Sequence, residues 1–213
     1  MEEEAVVITE DQLNIFSKPA RILIGGYSSS GKTFFTLQLL EKYGSLFDNV
    51  IICGLEPSEL KSKHSNISFK TGLYDPFIDD DLQGKTLMIV DDLMDNKHYL
   101  KVVAKVFSKG RHKKISCIFI SQNLYLQDQS YRTISLNASH FVLFKCRDIS
   151  QISHFARTFI EKEKQSNFIS CYRKHVLEKD YGYIIIDFDK KHNSPLLIRT
   201  DLFSDNFELC IKL

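Results

Sequence analysis

No stretch of this chain approaches the roughly 20 consecutive apolar residues that a membrane-spanning helix needs. Its amino terminus, Met1-Glu2-Glu3-Glu4, is acidic where a secretory leader is basic. Neither membrane insertion nor secretion is encoded here, and an intracellular protein is expected. Net charge is lacking too. Lys+Arg 28 against Asp+Glu 27 leaves only +1, so any contact with nucleic acid must come from a local patch. The cysteines, Cys53, Cys117, Cys146, Cys171 and Cys210, form no Cys-x-x-Cys pair and mostly sit inside apolar runs. That usage reads as reduced core thiols, and the histidines lack the spacing of a zinc site. There is no internal repeat and no low-complexity tract.

What is present fits one α/β domain, since 213 residues can bury a real core but not two full-sized ones. Apolar runs bounded by turn residues predict strands at 21–26, 49–54, 86–91, 115–121 and 140–146, with helical segments between several of them. Runs as apolar as Leu87-Met88-Ile89-Val90 are expected where helices cover both faces of a mainly parallel sheet. Between 55 and 85 the chain is polar and punctuated by Pro57, Gly72, Pro76 and Gly84, which predicts loops, with a short strand at 67–70. Helices are expected at 96–109 and 149–164, a second helical or irregular stretch to about 178, and a hairpin at about 182–200. The division that follows is an arm at 1–18, a domain at 19–200 and a tail at 201–213.

The run Gly26-Tyr27-Ser28-Ser29-Ser30-Gly31-Lys32-Thr33 is a complete G-x-x-x-x-G-K-T phosphate-binding loop, and it follows a strand-like run. The chemistry needs these residue types. Glycines let backbone N–H groups turn inward around phosphates, Lys32 neutralises the β/γ-phosphates, and the Thr33 hydroxyl completes a Mg²⁺ shell. The next helix offers its positive end to the anion. Its apolar stripe is read as Phe34, Leu37, Leu40 and Tyr43, closing at a C-cap on Gly44. The other half of the site is Thr86-Leu87-Met88-Ile89-Val90-Asp91-Asp92, an apolar strand ending in two carboxylates. Asp91 would hold Mg²⁺ through water and Asp92 would orient or deprotonate the attacking water.

The next strand ends in Gln122-Asn123, where Gln122 could sense the γ-phosphate or the pair could simply begin a turn. A carboxylate strand followed by one more strand with a polar tip is the pattern of the additional-strand P-loop ATPases. In these the extra strand lies between the other two. Ahead of it stands the basic run Ser108-Lys109-Gly110-Arg111-His112-Lys113-Lys114, either a solvated or targeting loop, or the carrier of an arginine finger, Arg111, for a neighbouring subunit. Arg132 and Arg147 are alternatives. On the helix before it, Lys97, Lys101, Lys105 and Lys109 recur every four residues opposite Tyr99, Val102, Val103, Val106 and Phe107. That stripe is either a solvent face or a contact to the DNA backbone.

Together these residues resemble the FtsK–HerA superfamily, and more narrowly the genome-packaging ATPases of poxviruses, virophages and Polinton/Maverick elements. The resemblance rests on 26–33, 87–92, 109–112 leading into 118–123, and Arg132-Thr133-Ile134-Ser135-Leu136-Asn137. It covers roughly 19–164. It implies a three-layer RecA-like additional-strand P-loop NTPase domain with a mainly parallel central sheet. It also implies a homo-oligomeric ring that hydrolyses ATP with Mg²⁺ to drive double-stranded DNA into a capsid, with a capsid or portal protein as partner and a virion as one location. Tyr27 and Ser29 stand where relatives often carry Pro and Gly, and Asp92 where they often carry Glu. Other classes fit less of the chain. A small-molecule kinase lacks its arginine-rich lid, a GTPase lacks the Asp that Asn96-Lys97-His98-Tyr99 would need, and a non-hydrolysing assembly protein leaves the Asp91-Asp92 pair without a purpose.

Overall fold

The computed structural model describes residues 14–54, 65–72, 74–91, 97–188, 197–203 and 209–212, with 197 and 209–212 described by backbone alone. In chain order the elements are β1 (Arg21–Gly25), α1 (Lys32–Tyr43), β2 (Asn49–Cys53), β3 (Ile67–Lys70), β4 (Thr86–Val90), α2 (Lys97–Lys109) and β5 (Ile115–Ser121). There follow α3 (Gln129–Asn137), β6 (His140–Leu143), α4 (Ser150–Phe159), α5 (Gln165–Tyr172), β7 (Ile184–Asp187), β8 (Leu197–Thr200) and β9 (Leu209–Lys212). One sheet carries the strands in the order β3, β2, β4, β5, β1, β6, β7, β8, β9. The strands from β3 to β6 in that order run parallel, and β7, β8 and β9 are each antiparallel to the neighbour before them.

Alternation along the strands builds the three layers. Leu23, Met88, Val90, Cys117, Phe119 and Leu143 join α2, α3, α4 and α5 in one buried cluster. Their neighbours Ile22, Ile24, Leu87, Ile89, Ile118 and Val142 join α1 in the other. Strands buried on both faces have no polar side to show, which is why they read as continuous apolar runs. Each such aliphatic side chain contributes about 1.5–3 kcal/mol when taken fully out of water.

Several boundaries differ from the sequence reading. The buried face of α1 is Phe35, Leu39, Leu40 and Tyr43, while Phe34 is 65% exposed. Gly44 is the C-cap of α1, as expected, but it is right-handed (φ −59°) and continues into a short 3₁₀ turn, its N–H donating to the Leu40 carbonyl. The strand expected at 140–146 stops at Leu143, which frees 145–147 to form a loop. The helix from 149 ends at Phe159, with Ile160 extended. The hairpin is present as β7 and β8, but the residues set apart as a tail include β9, which pairs with β8 at the sheet edge. Of the amino-terminal arm, 1–13 lie outside the described residues. Ile15 is buried, and the Phe16 ring packs edge-on against Tyr43 and Phe47.

Parallel register gathers the chemistry at one edge. Gly25 pairs with both Ser121 and Leu143, and Val90 pairs with Phe119. The segments that leave β1, β4, β5 and β6 therefore emerge together, β5 lying between β1 and β4. Ligands of open α/β sheets bind at such carboxyl edges.

Candidate active site

The loop after β1 is tied to both flanking strands. The Gly26 N–H donates to the Ser121 carbonyl (3.3 Å) and the Tyr27 N–H to the Lys145 carbonyl (2.9 Å). The second bond explains the departure at position 27, because a proline there would have no N–H to give. Ser29 takes the left-handed conformation (φ 63°), so the serine holds the shape that glycine usually supplies, at a cost on the order of 1–2 kcal/mol. Gly31 is left-handed too (φ 102°), and a Cβ on it would sit 3.2 Å from Tyr181 Cδ1.

Lys32 opens α1 and is nearly buried, 7% exposed. Its Nζ donates to the carbonyls of Gly26 and Tyr27, both at 2.8 Å, which centres the ammonium inside the curl of the loop. The first turn of α1 holds no acidic residue, so nothing there competes with an anion for the helix end. Ser30, 4% exposed, has a buried Oγ with no hydrogen-bond partner among the described residues. A buried hydroxyl without a partner costs about 1–3 kcal/mol, and one placed in a phosphate loop fits a ligand oxygen.

Gln122 is brought to this loop. The Ser28 hydroxyl donates to Gln122 Oε1 at 3.2 Å, across 94 residues of sequence. Asn123 serves the other purpose considered for the pair, a turn. Its N–H donates to Ser121 Oγ (3.2 Å), and its carbonyl accepts from the Tyr131 hydroxyl at 2.6 Å. Tyr131 of α3 thus pins the backbone just beyond Gln122.

Asp91 directly follows β4, half-buried, its N–H donating to the Cys53 carbonyl at 3.0 Å. Two strands separate β4 from β6, so Asp91 and Gln122 lie on one side of the loop and Lys145 on the other. Thr33 is exposed on the first turn of α1. A hydroxyl and a carboxylate are hard oxygen donors of the kind Mg²⁺ takes alongside water and phosphate. Among the described residues no cluster of three or more His, Cys, Asp and Glu side chains could hold a metal. Asp92 lies outside the described residues. Cys146, next to Lys145 in the loop after β6, has its thiol pushed up to about 11 by burial, so at neutral pH it stays protonated and offers no nucleophile.

The basic groups separate. Lys97 and Lys101 are exposed, but Lys105 pairs with Asp75 at 3.0 Å and lies over the Phe77 ring at 4.4 Å. The lysine stripe is therefore shortened to its outer members, Lys109 being exposed at the end of α2. Arg111 is exposed in the 3₁₀ turn Gly110–Lys113, ahead of the first residue of β5. β5 is seven residues long, which at ~3.3 Å per residue places the start of the strand about 20 Å from its carboxyl end. Arg111 thus stands at the opposite edge from its own phosphate loop. Arg132, on α3, and Arg147, four residues past the end of β6, are both exposed.

One part of the site was missed in the sequence. A cavity of about 350 Å³ is lined by Tyr27, Ser29 and Ser30 of the loop, by Lys145, and by Asp180, Tyr181 and Gly182. A lone Asp-Tyr-Gly between a helix and a strand carries no spacing signal. Only its turn chemistry ahead of β7 marks it.

The Poxvirus A32 protein family matches residues 78–193. The chain belongs to this family. The matched span runs from just before β4 through β7 and contains Asp91, Asp92, Arg111 and Gln122, whereas the phosphate loop precedes it. Solved structures of the genome packaging NTPase B204 from Sulfolobus turreted icosahedral virus 2 share the fold. The complex with ATP-gammaS has a TM-score of 0.56 at 15% identity, over 85% of this chain and 97% of that one. The complex with AMPPCP has 0.59 at 15%, over 84% and 96%. The cytoplasmic domain of the Thermomonospora curvata type VII secretion ATPase EccC gives 0.51 at 10% identity, over 91% of this chain and 25% of that one. No curated protein matches this A32-family chain. Among its described residues no helix is long and apolar enough to cross a membrane.

Proposed function

We infer that the chain is an ATP-hydrolysing motor that drives double-stranded DNA into a viral capsid, working inside the host cell as a homo-oligomeric ring docked on a capsid or portal protein. The observation that carries this is the placement of β5. It sets Gln122 against Ser28 of the phosphate loop while Asp91 leaves the neighbouring strand, which supports a site where the acid proposed to hold Mg²⁺ and the amide proposed to read the γ-phosphate share one edge. Family membership and the genome packaging NTPase with the same fold supply the biological setting.

Each residue then has a task. Lys32 and the N-terminus of α1 hold the phosphates, so charge developing on the γ-phosphoryl oxygens meets groups already oriented. Thr33 and Asp91 would hold Mg²⁺, whose charge screens the β- and γ-phosphate oxygens when bound. Asp92 orients the attacking water or takes its proton, and Gln122 reports γ-phosphate loss to α3 through the turn pinned by Tyr131. Arg111 completes the site of a neighbouring subunit.

Two measurements test this reading. With purified protein, ATP consumption should appear as free inorganic phosphate; transfer of the phosphoryl group to a small acceptor would indicate a kinase instead. In DNA-binding titrations, Lys97→Gln and Lys101→Gln should each lower the slope of log affinity against log salt by up to about 0.9, uniformly across sequences. Lys105→Gln should leave it unchanged, since that ammonium is already engaged by Asp75. A slope indifferent to Lys97 and Lys101 would return α2 to being a solvent face.

A further inference from the structure

The strand order gives the nucleotide a direction. Asp91 and Gln122 leave β4 and β5, on one side of β1, and they address the terminal phosphate. The nucleoside must then extend to the other side, toward the loop after β6 and the turn before β7. The cavity that begins at Tyr27, Ser29 and Ser30 continues there, against Lys145 and Tyr181, and its volume of about 350 Å³ falls within the range of small-ligand sites.

Tyr181 is built to present its ring at that place. It is large and 72% exposed, yet its backbone is left-handed (φ 55°), a conformation costly for an aromatic residue and one that marks functional turns. Two features hold it. The chain leaves α5 through a π-helical turn, Arg173–Leu177, which the Glu178 N–H closes onto the Arg173 carbonyl at 3.1 Å; such turns recur at functional sites. The turn then packs against this segment so closely that a Cβ on Gly182 would lie 2.4 Å from the His175 carbonyl oxygen. The ring edge meanwhile lies beside Gly31, just ahead of α1, and the loop after β6 is fixed by the Tyr172 hydroxyl, which donates to the Phe144 carbonyl at 2.9 Å.

We propose that Tyr181 is the nucleobase-stacking residue of this site, its ring packing on the face of the purine while Asp180 and Lys145 rim the subsite. The proposal rests on the nucleotide-binding reading above. Stacking is tolerant of which base is present, because every base has a π-face, so Tyr181 supplies affinity for the nucleoside rather than strict selection of adenine.

The test compares ATP with inorganic tripolyphosphate, a probe with phosphates and no base, as ligands of the full chain. Tyr181→Ala should weaken ATP binding about tenfold and leave tripolyphosphate within twofold, with Tyr181→Phe restoring ATP affinity, since one stacked base is lost. Equal weakening of both ligands would make Tyr181 a support for the phosphate loop and overturn the proposal; so would ATP binding unmoved by Tyr181→Ala. Failure of the wild-type protein to bind either ligand would instead overturn the nucleotide site itself, and Lys32→Ala, which should weaken both ligands together, tells these failures apart.

Discussion

Lys32→Ala should lower ATP turnover by at least about 10²–10³-fold, the loss that follows removal of one preorganised group from a transferring centre. The ammonium sits inside the loop on the carbonyls of Gly26 and Tyr27, and the first turn of α1 carries no other cation than Lys32 itself. Truncation also removes the donor from those two carbonyls, so a thermal melt belongs with the assay. The expectation is a folded protein with a modest change in melting temperature and near-zero turnover. Asp91→Ala should match it in turnover. Near-normal turnover in folded Lys32→Ala would remove the phosphate loop from the chemistry.

Arg111→Ala should be equally inactive, for a different reason that mixing exposes. Arg111 lies at the edge opposite its own loop, about 20 Å away by the length of β5, farther than a side chain reaches, so any role at a γ-phosphate is in trans. A Lys32→Ala subunit keeps a good finger and an Arg111→Ala subunit keeps a good loop. Each protein alone lacks a complete site, and an arginine finger is worth about 10³–10⁵ in rate. In the proposed ring, mixed assemblies would contain interfaces with both parts intact, so combining two inactive proteins should restore measurable hydrolysis. Mixing Lys32→Ala with Arg132→Ala or Arg147→Ala separates the three arginines. Arg111→Ala that hydrolyses ATP at the wild-type rate would leave the 110–113 turn as a solvated loop.

The sheet was legible in the sequence wherever a strand is buried on both faces, since 21–25, 49–53, 86–90 and 115–121 have no polar face to confuse the pattern. The position of β5 between β1 and β4 is what the resemblance to the additional-strand P-loop ATPases implied. Amphipathic elements were legible where charge and apolar residues alternate cleanly, as on α2. They were not on α1, where Phe34, Phe35, Leu37, Leu39 and Leu40 offer two overlapping stripes. The register is decided by Phe35 fitting between Phe144, Tyr183 and Phe203, contacts that span the whole chain. β9 escaped notice for the same reason, an edge strand defined by its pairing with β8 rather than by its own pattern. For the candidate site, Gly26 to Thr33, Asp91 and Gln122 could be proposed from the sequence because the loop and strand-end chemistry fixes spacing. Lys145 and Tyr181 could not, because they reach the loop only through the fold. The lysine stripe was over-read at Lys105, since periodicity on a helix does not reveal an aspartate at position 75.

The account rests on ATP turnover coupled to duplex DNA, and steady-state phosphate release by the purified wild-type protein, titrated with double-stranded DNA, measures that coupling. The predicted result is a saturable rise of several-fold or more that weakens with salt and is absent in Lys32→Ala. Turnover that ignores duplex DNA at every salt concentration, or no turnover at all from folded, nucleotide-binding protein, would contradict it.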